Sequence, residues 1–137
     1  MSNLKVIENK ISALKNYLGI VEKYKKHSQE EIETNVDLKG AVERYLYLVC
    51  QATIDLAEAF IAFKSFRKPT TQSDDFYILN EQEIIPAELA EKLVQMTGFR
   101  NIIAHDYLKV DYGKVCDILQ NGLRDIENFI KIIETKI

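Results

Sequence analysis

The sequence predicts an all-α fold, an up-and-down four-helix bundle with short additional helices. Glycine and proline are scarce, with five Gly and two Pro among 137 residues. Folds made of many short strands need both residue types at their turns, so this scarcity favours long helices and few connections. Hydrophobic residues make up 47% of the chain, which is enough to build a core. The length suits one domain, which we assign to residues 1–137.

The first predicted helix has a narrow apolar seam with steps of three and four residues, as in a bundle or a coiled coil. Ser2 or Asn3 is placed to cap its start. Ser28 and Glu31 then have the spacing of a capping box, which predicts a short helical turn. The residues of the seam are Leu4, Ile7, Ile11, Leu14, Leu18 and Val21.

The longest predicted helix begins after Asp37, its expected N-cap. It ends at Arg67-Lys68-Pro69, since proline cannot continue a helix. Its length and apolar period predict that it lies at the centre of the bundle. The residues that keep the helical period are Val42, Tyr45, Leu46, Val49, Thr53, Leu56, Phe60 and Phe63.

A polar and acidic segment follows at residues 70–85, where we expect a loop with one weak helical stretch. A small apolar cluster of Phe76, Ile78 and Leu79 marks that stretch. Pro86 suits the first turn of the next helix, where a backbone N–H is not needed. That helix is predicted to bury Leu89, Leu93, Met96, Phe99 and Ile103.

The last predicted helix has Asp111 as its expected N-cap. Gly122 lies inside this helix, where glycine costs about 1 kcal/mol relative to alanine. Its presence there indicates close packing. The predicted buried residues are Val115, Ile118, Leu119, Leu123, Ile126, Phe129, Ile130 and Ile133.

The net charge of −3 excludes a protein that binds polyanions over its whole surface. Charge is nevertheless segregated along the chain. Residues 1–26 hold six Lys and two Glu, residues 70–91 hold six acids and no base, and residues 92–114 hold four bases and two acids. We interpret each run as a solvated helix face, with local basic patches as the functional alternative.

Cys50 and Cys116 lie in separate apolar segments without CxxC spacing. We interpret them as reduced core residues, with a disulfide or a metal site as the minor alternative. The N-terminus lacks an apolar signal core. The most apolar run, residues 45–54, is interrupted by Gln51 and is far shorter than the ~20 residues of a membrane span. We therefore expect a soluble cytoplasmic protein that makes no membrane contact.

The two histidines are the side chains that titrate near neutral pH without help. His27 ends a lysine-rich segment, and we expect it to finish a helix rather than to act in catalysis. His105 follows Arg100 and Asn101 in a segment where an apolar helix would otherwise continue. At ~100° per residue Asn101 and His105 stack one turn apart, whereas Arg100 and His105 diverge by ~140°. The latter pair converges only through the long arginine side chain or a local kink.

A structural interpretation of the same segment is also open. In it Arg100 pairs with an acid at an amphipathic boundary and His105 packs against the core. The candidate acids are Glu43, Asp55 and Glu58 of the longest helix, as partners for Arg100 or Arg44, and we expect no role for them in an active site.

The segment from Arg100 to Tyr107, RNIIAHDY, resembles the signature of HEPN-domain ribonucleases, in which arginine is followed by a polar residue and then by histidine. The added Tyr107 resembles the HepT subgroup, the toxin partner of an MNT-type nucleotidyltransferase antitoxin. The similarity extends over most of the chain. It implies an endoribonuclease that needs no metal or cofactor and acts as a homodimer with both motifs in one cleft. It also assigns catalysis to Arg100, Asn101 and His105.

The chemistry of RNA cleavage agrees with these residue types. A 2′-hydroxyl that attacks the adjacent phosphate needs a base, an acid and a cation for the developing charge. Arg100 suits the phosphate because its planar fork donates two parallel hydrogen bonds, and Asn101 is placed to orient His105 or a phosphate oxygen. A two-fold dimer supplies the second histidine. The sequence shows no acid cluster or Cys/His set with metal-ligand spacing, so we do not expect a two-metal mechanism.

The resemblance further implies that Tyr107 accepts AMP from the antitoxin and that this modification silences the ribonuclease. A bulky anion beside Arg100 would occupy the phosphate site and repel RNA. A core tyrosine that hydrogen-bonds its neighbours is the alternative for this residue.

Two other functions stay open from the sequence. The chain is alternatively a non-catalytic helical module that binds nucleotide or substrate for a separately encoded nucleotidyltransferase. A purely structural dimerising bundle is the second alternative, and it rests on the seam from Leu4 to Val21.

Overall fold

A computed structural model describes residues 3–137, except for the side chain of Tyr107, and contains no strand in that range. Two 3-10 turns, Glu22–Lys26 and Tyr107–Lys109, and a π-helical turn, Ile118–Gly122, connect the α-helices. The α-helices are α1 (Asn3–Val21), α2 (Gln29–Thr34), α3 (Val36–Phe63), α4 (Asp74–Glu81), α5 (Ala87–His105), α6 (Tyr112–Asp117) and α7 (Leu123–Lys136).

The helices α1, α3 and α5 and the last helical segment, which runs from α6 through the π-helical turn to α7, form an up-and-down bundle. They surround one apolar core, which confirms the predicted fold class. Two contacts show that α1 runs antiparallel to the last helical segment. Lys15 Nζ lies 3.0 Å from Glu134, and the Gln120 amide donates to the Lys25 carbonyl over 2.8 Å. Phe76 of α4 packs edge-on against Phe129 of α7, with 5.9 Å between the ring centroids. The short helix α4 therefore closes the core between the long helices.

The predicted core residues are buried, with a few exceptions at the edge of the core. Leu4, in the first turn of α1, is 41% exposed, so its assignment to the buried seam is wrong. The remaining exceptions are half-buried and pack against the core from its rim: Tyr45, Phe63, Ile103 and Ile118.

The start of α3 differs from the prediction by two residues. Asn35, with an extended backbone, is the N-cap, and its side chain accepts a hydrogen bond of 3.0 Å from the Leu38 N–H. The assignment of Asp37 as the cap is wrong, because Asp37 already lies in the first helical turn. There its negative charge still interacts favourably with the positive end of the helix dipole.

The end of α3 also falls earlier than predicted. The helix stops at Phe63, and Ser65 adopts a left-handed conformation with φ 56°. The N–H of Phe66 then reaches back to the Ile61 carbonyl over 3.1 Å, the wider bond of a Schellman ending. Pro69 therefore does not terminate the helix.

The other helix boundaries mostly follow their predicted caps. Ser28 and Glu31 form the capping box at the start of α2. Asp111 caps α6 by accepting hydrogen bonds from the Gly113 and Lys114 N–H groups. Pro86 is the N-cap of α5 rather than part of its first turn, since the helix begins at Ala87. Ser2, the other candidate cap of α1, lies outside the described residues.

Gly122 lies in the π-helical turn that joins α6 to α7. A Cβ atom at this position would lie 3.2 Å from the Ile118 Cγ2, which is tighter than ordinary van der Waals contact. This contact lies within the turn itself, so close packing of Gly122 against another helix stays a prediction.

Two acids of the segment around α4 are held by ion pairs with an arginine rather than merely solvated. Arg67 donates four hydrogen bonds, two to Asp74 and two to Glu81. Hydrogen bonds from Arg67 lower the pKa of Asp74 to about 2. This fork joins the loop after α3 to both ends of α4.

Asp75 is a buried acid on the other face of α4. Its side chain is fully buried, and neither carboxylate oxygen meets a hydrogen-bond donor among the described residues. Burial first, and then the neighbouring Glu58 and Asp74 carboxylates, together raise its pKa to about 7. The folded protein therefore favours the protonated form of the Asp75 carboxyl group.

We expect Asp75 to make the free energy of unfolding fall as pH rises from about 4 to about 7, because the folded state holds a proton that the unfolded chain releases in this window. The slope is at most about 1.4 kcal/mol per pH unit for one group. Asp75→Asn, which keeps the shape of the protonated acid, flattens this slope and stabilises the protein at pH 8. Urea unfolding at several pH values measures both effects.

Asp74→Asn is the matched control, because it removes an acid that is stabilised in its charged form by Arg67. It should lower the free energy of unfolding at neutral pH. An Asp75→Asn variant that is less stable than the parent at pH 8 would contradict the protonated buried acid.

The most apolar helix and both cysteines contribute to the helical bundle. The helix α3 is long and apolar enough to cross a membrane by composition alone, but 56% of that stretch is buried inside the fold. Cys50 of α3 is buried as predicted, whereas Cys116 of α6 is half-buried at the rim of the core.

Candidate active site

Arg100 lies in the last turns of α5, and its side chain extends towards α3. Its Nε donates to the Gln51 amide oxygen over 2.8 Å, and its Nη2 lies 3.3 Å from the Tyr47 hydroxyl. Its Nη1 donates to the Asn101 amide oxygen over 2.8 Å. Two helices thus hold one guanidinium through three neutral oxygen atoms.

Among the residues that the structure describes, none is an acidic partner of Arg100. No carboxylate among the described residues lies within 4.0 Å of its guanidinium nitrogens. The guanidinium carbon instead lies 5.2 Å from the centroid of the Tyr47 ring, in a cation–π contact. A half-buried arginine with three of its five N–H donors bonded and an uncancelled charge is suited to hold an anion with the other two.

The three acids considered as partners of Arg100 are engaged elsewhere. Asp55 accepts a hydrogen bond of 2.9 Å from the Gln51 amide, so it reaches Arg100 only through Gln51. Glu43 accepts a hydrogen bond from the Tyr112 hydroxyl, and Glu58 faces the buried Asp75. The structural interpretation in which Arg100 pairs with an acid is therefore wrong.

His105 is the last residue of α5, and its side chain is exposed. The interpretation that it packs against the core is also wrong. Asn101, one turn earlier, is exposed as well, so the two side chains share the outer face of the helix end. The helix ends there because Asp106 leaves the helical conformation while its N–H still bonds to the Ile102 carbonyl.

The helix α5 is continuous from Ala87 to His105, without a π-helical turn or a break. Arg100 and His105 are therefore ~140° apart around its axis. The local kink that would bring them together is absent from this described helix. The arginine faces the seam between α3 and α5, and the histidine faces outwards.

Tyr107 falls in the 3-10 turn that follows α5, and its side chain lies outside the described residues. Its neighbour Leu108 is 85% exposed. His27 ends the 3-10 turn after α1, where its N–H bonds to the Tyr24 carbonyl and its ring nitrogen lies 3.1 Å from Glu31. The prediction that His27 finishes a helical segment is confirmed.

Cys50 precedes Gln51 on α3 but is unsuited to nucleophilic chemistry. Burial raises the pKa of its thiol to about 12, an effect that the positive charge of Arg100 partly offsets. In the part of the chain that the structure describes, no three His, Cys, Asp or Glu side chains gather as metal ligands would.

The candidate site does not coincide with the groove of about 610 Å³ between α5 and the last helical segment. That groove has an apolar floor from Met96, Phe99 and Ile102. Neither Arg100 nor His105 lines it. The site residues therefore form an open surface on the α3 side and at the end of α5.

Tyr47 and Gln51 were not among the residues predicted for the site. One signal was available, since Gln51 interrupts the most apolar run of the chain. The sequence alone did not show that this polar side chain meets Arg100, because 49 residues separate them.

The up-and-down bundle and the spacing of Arg100 and His105 define a HEPN domain. The family model described as "Ribonuclease HepT-like" matches residues 8–133. The chain therefore belongs to the HepT-like ribonuclease family. This membership confirms the predicted family and the predicted class of enzyme, a ribonuclease.

Known relatives are similar over nearly their whole length. The mRNA nuclease HepT of Shewanella oneidensis is 30% identical over 132 residues, which cover 96% of this chain and 98% of the relative. The tRNA nuclease HepT of Aphanizomenon flos-aquae is 24% identical, with 98% and 93% covered. A solved structure of the tri-AMPylated HEPN toxin of Shewanella oneidensis in complex with MNT antitoxin has a TM-score of 0.86 and 28% identity, with 95% and 97% covered.

We expect Gln51→Leu to lower kcat for RNA cleavage about tenfold, because Arg100 loses the acceptor that orients its Nε (~1.4 kcal/mol). KM and the thermal midpoint should change little. Gln82→Leu, at an exposed position beyond α4, is the matched control. Equal kcat values for the two variants would show that Gln51 does not position Arg100.

Proposed function

We propose that this chain is the ribonuclease toxin of a toxin–antitoxin pair and that it cleaves RNA without a metal ion. The observation that carries the proposal is Arg100, a guanidinium held by neutral groups with its charge uncancelled, five positions before an exposed histidine. The whole chain acts as one domain in this proposal.

Cleavage in this site uses the 2′-hydroxyl of the RNA as the nucleophile. One histidine takes the hydroxyl proton while the 2′-oxygen bonds to the adjacent phosphorus. The bond from phosphorus to the 5′-oxygen breaks, and a second histidine gives that oxygen a proton. Arg100 donates to the phosphate oxygens, where negative charge grows in the transition state. The products are a 2′,3′-cyclic phosphate and a 5′-hydroxyl.

Asn101 links the two catalytic side chains in this proposal. Its amide oxygen accepts a hydrogen bond from Arg100, which leaves its N–H₂ group to donate to a phosphate oxygen or to the ring of His105. Because Asn101 and His105 lie one turn apart, the Asn101 amide is placed to orient either the phosphate or the histidine ring.

The active form we propose is a homodimer. Each chain brings one histidine to the site, whereas the reaction needs an acid and a base. The ~140° between Arg100 and His105 on the continuous helix α5 also argues against a complete site in one chain. A two-fold axis beside the end of α5 would place the arginine of one subunit near the histidine of its partner.

The partner that silences the enzyme is, in our proposal, an MNT-type nucleotidyltransferase antitoxin that transfers AMP to Tyr107. The similar toxin of Shewanella oneidensis is tri-AMPylated and in complex with MNT antitoxin. Tyr107 begins the turn that follows α5, and an adenylyl group on it would add negative charge to a chain that must bind RNA. We place this pair in the cytoplasm, without membrane contact, where its RNA substrates are made.

We expect Arg100→Ala and His105→Ala each to lower RNA cleavage in EDTA by about 10²- to 10⁴-fold, because each removes a group that acts in the transition state. A labelled RNA resolved on a gel measures the rate. Arg124→Ala, which removes an exposed arginine from α7, should leave the rate unchanged. Full activity of both site variants would contradict the assignment.

Mixing the parent protein with His105→Ala tests the shared site. A heterodimer of the two has one histidine in a cleft that needs both an acid and a base. We expect it to cleave RNA at close to the rate of the His105→Ala dimer, so an excess of His105→Ala lowers the activity of the parent. Sedimentation should show a dimer. A monomer with full nuclease activity would contradict the proposal.

We expect Tyr107→Phe to keep most of the nuclease activity and to resist silencing, because it lacks only the hydroxyl that accepts AMP. Incubation with the antitoxin and ATP, followed by mass spectrometry and an RNA cleavage assay, measures both effects. Tyr112→Phe is the control, since the Tyr112 hydroxyl is already bonded to Glu43. AMP transfer to Tyr107→Phe at the parent's level and at another tyrosine would contradict the assignment.

A further inference from the structure

A second arginine contacts the same tyrosine as Arg100. The Arg44 guanidinium carbon lies 6.0 Å from the centroid of the Tyr47 ring, and that of Arg100 lies 5.2 Å from it. Arg44 lies one turn before Tyr47 on α3 and is exposed. The ring therefore brings two cations, from two different helices, to one place on the surface.

Neither cation is neutralised by its surroundings. Within residues 3–137 no carboxylate oxygen lies within 4.0 Å of either guanidinium. The two nearest acids along this part of α3 are bound to other groups. Glu43 accepts from the Tyr112 hydroxyl, and Asp55 accepts from the Gln51 amide. The α3–α5 seam therefore carries a local double positive charge on a chain whose net charge is −3.

Two adjacent guanidinium groups repel each other, and a polyanion relieves that repulsion. The two arginines differ in how they are held. Arg100 is fixed by three hydrogen bonds, whereas the contact of exposed Arg44 is the face of an aromatic ring. A cation–π contact orients the planar guanidinium and leaves its N–H donors available to a ligand.

We propose that Arg44 and Tyr47 form a second phosphate subsite, which binds the RNA backbone next to the phosphate held by Arg100. The ligand is a phosphodiester of single-stranded RNA, and the inference rests on the proposed ribonuclease function. Arg44 acts in substrate binding, and Tyr47 is a positioning residue for both arginines. The subsite needs a strand that continues beyond the cleaved bond.

The salt dependence of RNA binding tests the subsite, because each phosphate contact on a single strand contributes about 0.7 to the slope of log K against log salt concentration. The probe is a short fluorescein-labelled single-stranded RNA, measured by anisotropy on the cleavage-deficient His105→Ala protein. Adding Arg44→Ala should weaken binding about five- to tenfold and lower the slope by about 0.7. Adding Arg124→Ala, an exposed arginine on α7, should change neither.

Cleavage by single variants provides the second readout. Arg44→Ala should raise KM with kcat retained, whereas Arg100→Ala lowers kcat. Arg44→Lys should recover the salt slope and only part of the affinity, because lysine keeps the charge but not the planar stack. Tyr47→Leu should weaken binding and lower kcat together, since both arginines lose the ring.

Different results would overturn the second phosphate subsite and the ribonuclease function. If Arg44→Ala shifts the thermal midpoint but leaves the salt slope and KM at the values of Arg124→Ala, Arg44 serves packing and the subsite is overturned. If the parent protein cleaves no RNA, the ribonuclease proposal fails. In that case the salt slope still reports whether Arg44 contacts phosphate.

Discussion

The candidate site depends on how the charge of Arg100 is held. A half-buried guanidinium is costly unless its N–H groups find acceptors. Gln51, Tyr47 and Asn101 supply those acceptors as neutral oxygens, so the side chain is ordered while its charge stays available. A carboxylate in place of Gln51 would order the arginine equally well but would cancel the charge that a phosphate needs. This requirement explains why Tyr47 and Gln51, which are polar but neutral, lie on the side of α3 that faces Arg100.

The geometry of α5 then limits what one chain can do. The helix runs unbroken to His105, and the Asp106 N–H closes its last turn against Ile102. A straight helix cannot bring residues five positions apart onto one face, so the arginine and the histidine of one chain face different surroundings. This geometry is the reason for our proposal that the active site is completed across a symmetry axis. The open surface of the site, which lies away from the groove between α5 and the last helical segment, fits that arrangement.

The errors of the sequence analysis have a common physical cause. Asp37 and Asn35 are both good caps, and their choice depends on the extended backbone between α2 and α3. The end of α3 at Phe63 depends on the left-handed conformation of Ser65. A serine in the sequence does not predict this conformation. The burial of Asp75 beside Glu58 was not predicted for the same reason. An acid in an acidic segment is expected to be solvated, and only the tertiary structure shows that it is covered. Local patterns identify helices well, but they do not identify what covers each residue.

Composition and the 3.6-residue period were sufficient to predict an all-α bundle and most of its core, and the order of residues from Arg100 to Tyr107 was sufficient to indicate the family. These features are local, since burial of a helix face and the order of residues in a motif are written in consecutive positions. The partners of Arg100 were not predictable in this way. Tyr47 and Gln51 lie about fifty positions away, and the packing of α3 against α5 alone brings them to the guanidinium. The free charge of Arg100 is therefore a property of the tertiary fold, because it depends on which neutral side chains, and which acids, lie around it.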